Sequence, residues 1–175
     1  MEAAVQKEFS DFQSLASHLN GGIRLSGIVG IDGFYGAGKT TLGKHLSEKL
    51  NYAHIDLDDF LKGDAQAYVS DLKMQDIRKR IEEADGNLII SGCCLLEVFD
   101  NLKVIPNLLI YVKRISASTQ WDDGDYECDE LLRSEAVARD TNGSVYLLDF
   151  EIESYHRKWK PYKRAGLILN RCELH

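Results

Sequence analysis

The stretch GFYGAGKT, residues 33–40, matches the pattern G-x-x-x-x-G-K-[ST] at every position. Its glycines permit backbone angles that other residues resist, so successive N–H groups can turn inward around phosphate oxygens. In this pattern Lys39 reaches the β- and γ-phosphates of a nucleotide, and the hydroxyl of Thr40 ligates Mg²⁺. The stretch therefore predicts a phosphate-binding loop. The predicted nucleotide-binding residues are Gly33, Phe34, Tyr35, Gly36, Ala37, Gly38, Lys39, Thr40 and Thr41.

The segments on either side of the loop supply the context that this motif requires. Residues 27–32 form an almost wholly apolar run, which is typical of a buried strand. Residues 39–50 carry Leu42, Leu46 and Leu50 at spacings of four, which predicts a helix. The beginning of that helix adds the positive end of its dipole to the phosphate site.

The rest of the chain continues this alternation of apolar strands and amphipathic helices. Further strands are predicted at residues 52–57, 88–90, 107–113 and 166–169, and further helices at residues 69–81, 95–102, 131–139 and 145–159. Such alternation predicts an α/β fold with helices on both faces of a mainly parallel sheet of roughly five strands. The expected class is the P-loop NTPase three-layer α/β/α sandwich.

One domain and an N-terminal helix account for the whole length. Residues 1–22 are predicted to form a helix that packs on the core, because apolar residues recur there at spacings of three and four. These residues are Val5, Phe9, Phe12, Ala16 and Leu19. Residues 23–175 form the phosphate-binding domain, in which a polar run at residues 116–130 interrupts the pattern.

Composition excludes several classes of protein. With 21 basic and 28 acidic residues the formal net charge is −7, which disfavours general binding to nucleic acid or to an anionic membrane. The N-terminus has no apolar run of the length that a secretory signal needs, and no apolar stretch is long enough to cross a bilayer. The four cysteines form no C-x-x-C pair and indicate reduced thiols. We therefore expect a cytoplasmic protein without nucleic-acid or membrane partners.

Carboxylates follow the second predicted strand, where the sequence reads IDLDDF at residues 55–60. The helix at residues 39–50 is about as long as a six-residue strand, so the carboxyl ends of both strands lie at the same edge of the sheet. Asp56, Asp58 and Asp59 are thereby brought towards the γ-phosphate. One of them can accept the proton of a substrate hydroxyl and another can hold Mg²⁺, directly or through water. The alternative is that these acids only cap the following segment.

Other nucleotide-binding classes fit less well. The chain has no N-K-x-D guanine-binding motif and no L-S-G-G-Q transporter motif. The strand at residues 88–90 is followed by Ser91 and not by the Asp-Glu pair of a motor ATPase.

With these motifs in place, the chain resembles the family of uridine kinase, phosphoribulokinase and pantothenate kinase from about residue 27 to residue 169. Four blocks carry the resemblance: IVGIDGFYGAGKTTL at residues 28–42, DDF at 58–60, LIISGCCLL at 88–96 and YHRKWKPYKRAGLIL at 155–169. The family's D-D/S-F block begins with the catalytic base, and this implies that Asp58 is the base here.

The resemblance implies an ATP- and Mg²⁺-dependent kinase that phosphorylates a hydroxyl of a small molecule, with a nucleoside as the first choice. It implies that Lys39 carries charge in the transfer, that Thr40 and Asp56 hold the metal ion, and that a lid-like insertion lies near residues 115–145. Ala138-Arg139-Asp140 is similar to the family's lid R-D, so Arg139 is a candidate catalytic arginine. The oligomeric state stays open.

Two alternatives remain. Ser91 stands where many family members carry a metal-associated Glu, and the run at residues 122–130 is acidic where the family's lid is rich in arginine. These departures favour a nucleotide-binding regulatory or degenerate P-loop protein without kinase turnover. A nucleic-acid partner at the basic run 157–164 is the other alternative, and the net charge argues against it. Four aromatic residues can line a substrate pocket or pack in the core: Tyr52, Tyr68, Tyr111 and Trp121.

Overall fold

The computed structural model describes residues 6–22, 26–63, 65–116, 120–121 and 147–172. Within these ranges, none of the helices combines the length and apolar character that a membrane span requires. The predicted helix at residues 131–139 and the polar run at residues 116–130, apart from Ser116, Gln120 and Trp121, lie outside the described residues, as does Arg139.

A six-stranded parallel sheet forms the centre of the molecule. Its strands are β1 (Lys7–Phe9), β2 (Ile28–Gly33), β3 (Ala53–Asp56), β4 (Leu88–Ser91), β5 (Leu108–Ile115) and β6 (Leu167–Cys172). They lie in the order β1-β6-β5-β2-β4-β3, and every neighbouring pair runs parallel. The loop-bearing strand β2 is therefore central, between β4 and β5.

Helices cover both faces of the sheet. They are α1 (Phe12–Gly22), α2 (Lys39–Leu50), α3 (Met74–Glu83), α4 (Leu95–Leu102), α5 (Leu147–Trp159) and α6 (Pro161–Arg164), with a 3-10 turn at Leu57–Phe60.

Two apolar clusters separate these helices into layers. Leu15 of α1 and Leu42 of α2 share one cluster with Ile89 of β4, whereas Ile77 of α3 and Tyr155 of α5 share the other with Ile90, the next residue of β4. Neighbouring residues of one strand thus face opposite layers, as the pleat of a strand requires. The predicted α/β/α P-loop fold is confirmed.

The N-terminal segment differs from the predicted single helix. Lys7–Phe9 pairs in parallel with β6, and the helix begins at Phe12 after Asp11, whose carboxylate accepts a hydrogen bond of 2.7 Å from the N–H of Ser14. Phe9 is buried in the same cluster as α1, so its apolar character serves an edge strand and not a helix. This strand makes the sheet six-stranded where roughly five strands were expected.

The predicted helix at residues 69–81 also begins later, at Met74. The preceding residues form a closed loop in which Leu61 bridges Leu72 in antiparallel fashion. The Asp71 carboxylate accepts hydrogen bonds from the N–H groups of Gln66 and Ala67, at 2.8 and 3.0 Å. These side-chain bonds hold the segment in a non-helical course, so its apolar residues fill the core from a loop.

Candidate active site

The phosphate-binding loop connects β2 to α2, as the motif predicts. Gly33, Gly36 and Gly38 have φ angles of 153°, 69° and 98°, in the region that favours glycine. A Cβ at Gly33 would also lie only 2.7 Å from the carbonyl oxygen of Val112 on β5. The backbone path of the loop therefore depends on glycine at its first residue for two separate reasons.

Lys39 lies inside the loop. Its side chain is 6% exposed, and its ammonium donates a hydrogen bond of 2.6 Å to the carbonyl oxygen of Phe34. This bond orients the ammonium along the loop, and the ammonium also interacts with the thiol of Cys93.

The loop opens onto a pocket of about 490 Å³. Residues of the loop and of the start of α2, with Arg171 of β6, line one side, and residues between the end of β3 and α5 line the other. The described lining residues are Tyr35, Gly36, Gly38, Lys39, Thr40, Thr41, Asp58, Leu61, Tyr68, Cys93, Ile152 and Arg171. Most of the predicted nucleotide-binding residues and the predicted base thus share one pocket, whereas Gly33, Phe34 and Ala37 are buried and do not line it.

The three predicted carboxylates have different positions. Asp58 is exposed and lines the pocket. Asp56 is half-buried at the beginning of the 3-10 turn, where its Oδ1 accepts a hydrogen bond of 3.3 Å from the N–H of Asp58. Asp56 therefore caps the 3-10 turn, which was the alternative expectation, and neither Asp56 nor Asp59 is among the residues that line the pocket.

The residues present suit Mg²⁺ only together with a nucleotide. Within the described part of the chain, no group of three or more His, Cys, Asp and Glu side chains could hold a metal ion. Mg²⁺ is usually held by one or two protein oxygens together with the phosphates of the substrate. The hydroxyl of Thr40 and a carboxylate at the end of β3 are of that kind.

Tyr68 is a site residue that the sequence left undecided. It is 2% exposed, and its hydroxyl donates a hydrogen bond of 2.6 Å to Oδ1 of Asp58. The same hydroxyl accepts a bond of 3.1 Å from the N–H of Cys93, after β4. Burial raises the pKa of the Tyr68 phenol well above its usual value, so the group stays a donor.

Arg171 is a second site residue that sequence reasoning missed. It lies on β6, and its Nη1 donates a hydrogen bond of 3.1 Å to the carbonyl oxygen of Gly36 in the loop. Its register partner on β5 is Arg114, whose guanidinium also lies beside Gly36. Two arginines therefore flank the tip of the loop from the carboxyl ends of neighbouring strands.

A buried carboxylate lies directly before the loop. Asp32 is fully buried, and it accepts a hydrogen bond of 2.7 Å from the N–H of Gly33 and another from the hydroxyl of Tyr155. Burial raises the pKa of Asp32 to about 7, although these hydrogen bonds and the charge of Lys39 oppose the rise. The group holds the first turn of the loop against α5.

Ser91 occupies the position where the family resemblance anticipated a Glu. Its buried hydroxyl lies 2.9 Å from Nε2 of His54, and its register partner on β3 is Asp56. Burial lowers the pKa of His54, which favours the neutral ring. A neutral Ser–His pair therefore lies beside Asp56. Asp56, at the end of β3, has no acidic neighbour at position 91.

Comparison with known proteins gives two kinds of similarity. A family model described as shikimate kinase matches residues 35–85. A shikimate kinase of Azobacteroides pseudotrichonymphae genomovar. CFP2 is 50% identical over 40 residues, which are 23% of this chain and 24% of that protein. The match thus spans about a quarter of the length of that curated relative, a segment that is too short to establish the family.

The second kind of similarity is structural. A possible uridine kinase from Bacillus stearothermophilus has a TM-score of 0.54 at 13% identity, over 91% of this chain and 97% of that one. A shikimate kinase from Aquifex aeolicus vf5 has a TM-score of 0.45 at 19% identity, over 82% of this chain and 86% of that one. The first of these similarities shows that the chain shares the fold of that protein over almost its whole length.

Proposed function

We propose that this protein is an ATP-dependent kinase that transfers a phosphoryl group to a hydroxyl of a small molecule. The observation that carries the proposal is that Lys39 of the phosphate-binding loop and Asp58 beyond β3 line the same pocket. The local similarity to shikimate kinase supports it, because the matched residues 35–85 contain both groups.

The residues have distinct tasks in this reaction. The loop N–H groups and Lys39 bind the phosphates and stabilise the charge that develops during transfer. Thr40, with Asp56, would hold Mg²⁺, which neutralises charge on the phosphate oxygens when it is bound. The acceptor oxygen forms a bond to the γ-phosphorus, the bond from that phosphorus to the bridging oxygen breaks, and ADP leaves. Asp58 takes the proton of the acceptor hydroxyl.

The lid completes the proposal. We assign residues 115–145 to it, with Arg139 contributing positive charge to the phosphoryl group as the pocket closes.

The acceptor side of the pocket favours an uncharged ring. Leu61, Tyr68 and Ile152 line it, whereas the described cationic lining residues, Lys39 and Arg171, belong to the side of the loop. A nucleoside is therefore the first candidate acceptor. A hydroxylated carboxylate of the shikimate type is the second, because the shikimate kinase match covers this acceptor side up to residue 85.

The test is acceptor-dependent release of ADP. The protein is incubated with Mg-ATP and, separately, with nucleosides, shikimate, sugars and pantothenate. We expect one class to stimulate ADP release and to yield a phosphorylated product by mass spectrometry. Asp58→Asn should reduce transfer to a small residual rate but still bind ATP, whereas the matched variant Asp59→Asn should keep turnover. Near-normal turnover of Asp58→Asn would show that the base is another residue.

A different result would favour the competing function. If ATP binds with micromolar affinity and no acceptor stimulates ADP release, the chain is a nucleotide-binding regulatory protein. The observation that favours a regulatory protein is the Ser91–His54 pair, which stands where a kinase of the resembled family would carry a Glu.

A further inference from the structure

Tyr68 has no freedom in its hydrogen bonding. The N–H of Cys93 can only donate, so the oxygen of Tyr68 accepts this bond, at 3.1 Å. The single hydroxyl proton of Tyr68 is therefore directed to Oδ1 of Asp58, at 2.6 Å. One oxygen of the Asp58 carboxylate is thus engaged by Tyr68, and Asp58 itself lines the pocket.

The backbone of Tyr68 is held by a second carboxylate, on another element. Glu151 of α5 accepts hydrogen bonds from the N–H groups of Tyr68 and Val69, the latter at 3.1 Å. The next residue of the helix, Ile152, lines the pocket. The position of α5 and the position of the Tyr68 phenol are therefore linked by two hydrogen bonds to one side chain.

We propose that Tyr68 is a positioning residue for Asp58, and that Glu151 sets the position of Tyr68 from α5. The hydroxyl of Tyr68 fixes Oδ1 and so turns Oδ2 towards the acceptor. Because Glu151 of α5 holds the backbone of Tyr68, a shift of this helix would move the loop residue that orients the base. This inference rests on the proposed kinase function, since it assigns a role to the group that accepts the proton.

The test begins with Tyr68→Phe, which removes one hydroxyl and leaves the ring in the core. We expect kcat to fall about tenfold, with KM for ATP unchanged, because a hydrogen bond to a charged group is lost on the acceptor side. The matched control is Tyr52→Phe, on the opposite face of the sheet, which should keep the wild-type kcat. Glu151→Gln, which replaces one acceptor oxygen by an amide donor, should lower kcat in the same direction.

A double variant separates positioning from direct contact with the acceptor. If Tyr68 acts through Asp58, then adding Tyr68→Phe to Asp58→Asn causes no further loss of residual ADP release. An additive loss, or a wild-type kcat for Tyr68→Phe alone, would overturn the proposal.

Urea unfolding of the same variants tests the contact between Tyr68 and Asp58 without any measurement of turnover. If Tyr68 and Asp58 are coupled, the double variant loses less unfolding free energy than the sum of the two single variants. If the wild-type chain phosphorylates no acceptor, the kinase function fails, and the urea cycle alone decides whether Tyr68 holds Asp58. Strict additivity in that cycle would refute the contact, while acceptor-dependent turnover would leave the kinase function standing.

Discussion

The hydroxyl of Tyr155 on α5 donates a hydrogen bond to the carboxylate of Asp32, the residue immediately before the phosphate-binding loop. The same hydroxyl accepts a bond of 3.0 Å from the N–H of Leu96 at the beginning of α4. One phenol therefore joins two helices to the strand that positions the loop. Because Asp32 is fully buried there, its charged form is disfavoured.

The stability of the protein should depend on pH through Asp32. Its pKa rises from 3.8 to about 7 in the fold, so between these values the folded chain keeps a proton that the unfolded chain has lost. The contribution of this proton is complete below pH 4 and is lost as the pH rises through 7. Asp32→Asn removes the titration. The free energy of unfolding of wild type minus that of Asp32→Asn should therefore decrease by at most about 4 kcal/mol between pH 4 and pH 8.

Urea unfolding of both proteins at several pH values measures this difference, because the other titrating groups contribute equally to both. A difference that is flat across the range, or one that grows as the pH rises, would contradict the buried protonated carboxyl.

Much of the fold could be predicted because its signals are local. Both neighbours of the loop, β2 and α2, agree with the sequence within a residue, since a strand buried on both faces is apolar throughout and a helix repeats its leucines every four residues. The edge strand Lys7–Phe9 carried no such signal. Three residues are too few to show a period, and its Phe9 also fits the spacing of the helix that follows.

The site residues also differ in whether a local sequence signal marks them. The loop and Asp58 could be predicted because each is a contiguous motif that follows a strand. Arg171 lies 135 positions from Gly36, and Glu151 lies 83 from Tyr68, so only the folded topology brings these pairs together. Tyr68 is in an irregular loop whose course is set by the carboxylate of Asp71, and no periodic pattern marks such a residue.

Gly33→Ala should destabilise the protein and impair nucleotide binding. The new methyl group would meet the Val112 carbonyl oxygen at 2.7 Å, and the residue would keep a φ of 153° that alanine disfavours. We expect a loss of about 2–3 kcal/mol of unfolding free energy, the range of overpacking and backbone strain.

The control is Gly63→Ala, where a Cβ meets nothing within 4 Å. Thermal unfolding followed by circular dichroism should place this variant within about 0.5 kcal/mol of wild type. Equal stability of Gly33→Ala and Gly63→Ala would mean that the loop can move away from β5.

Arg171→Ala should weaken nucleotide binding about fivefold. The substitution removes the hydrogen bond that holds the carbonyl of Gly36, and it removes a positive charge from the wall of the pocket. A loss of about 1 kcal/mol corresponds to that factor in Kd. Isothermal titration with Mg-ATP measures it, and the exposed Arg80 on α3 provides a charge-matched control, Arg80→Ala. If both variants bind ATP as wild type does, Arg171 only braces the loop.

Lys39→Met tests the charge at the centre of the loop while it keeps the length of the buried stem. Methionine cannot donate to the Phe34 carbonyl, but its thioether fills the space of the aliphatic chain, so the fold should stay intact. Because the ammonium is directed into the pocket from a position that is only 6% exposed, its interaction with a phosphate is only weakly screened by water. We expect acceptor-dependent ADP release to fall by at least about 100-fold, as for other preorganised groups that stabilise developing charge.

The matched variant is Lys44→Met, an exposed lysine on the same helix α2. It loses the same charge and should retain wild-type turnover. Circular dichroism and thermal unfolding verify that both variants are folded, and the release of ADP is followed by a coupled assay. Turnover that survives in Lys39→Met but falls in Lys44→Met would mean that the overall charge of α2, and not the ammonium held by Phe34, stabilises the transferred phosphoryl group.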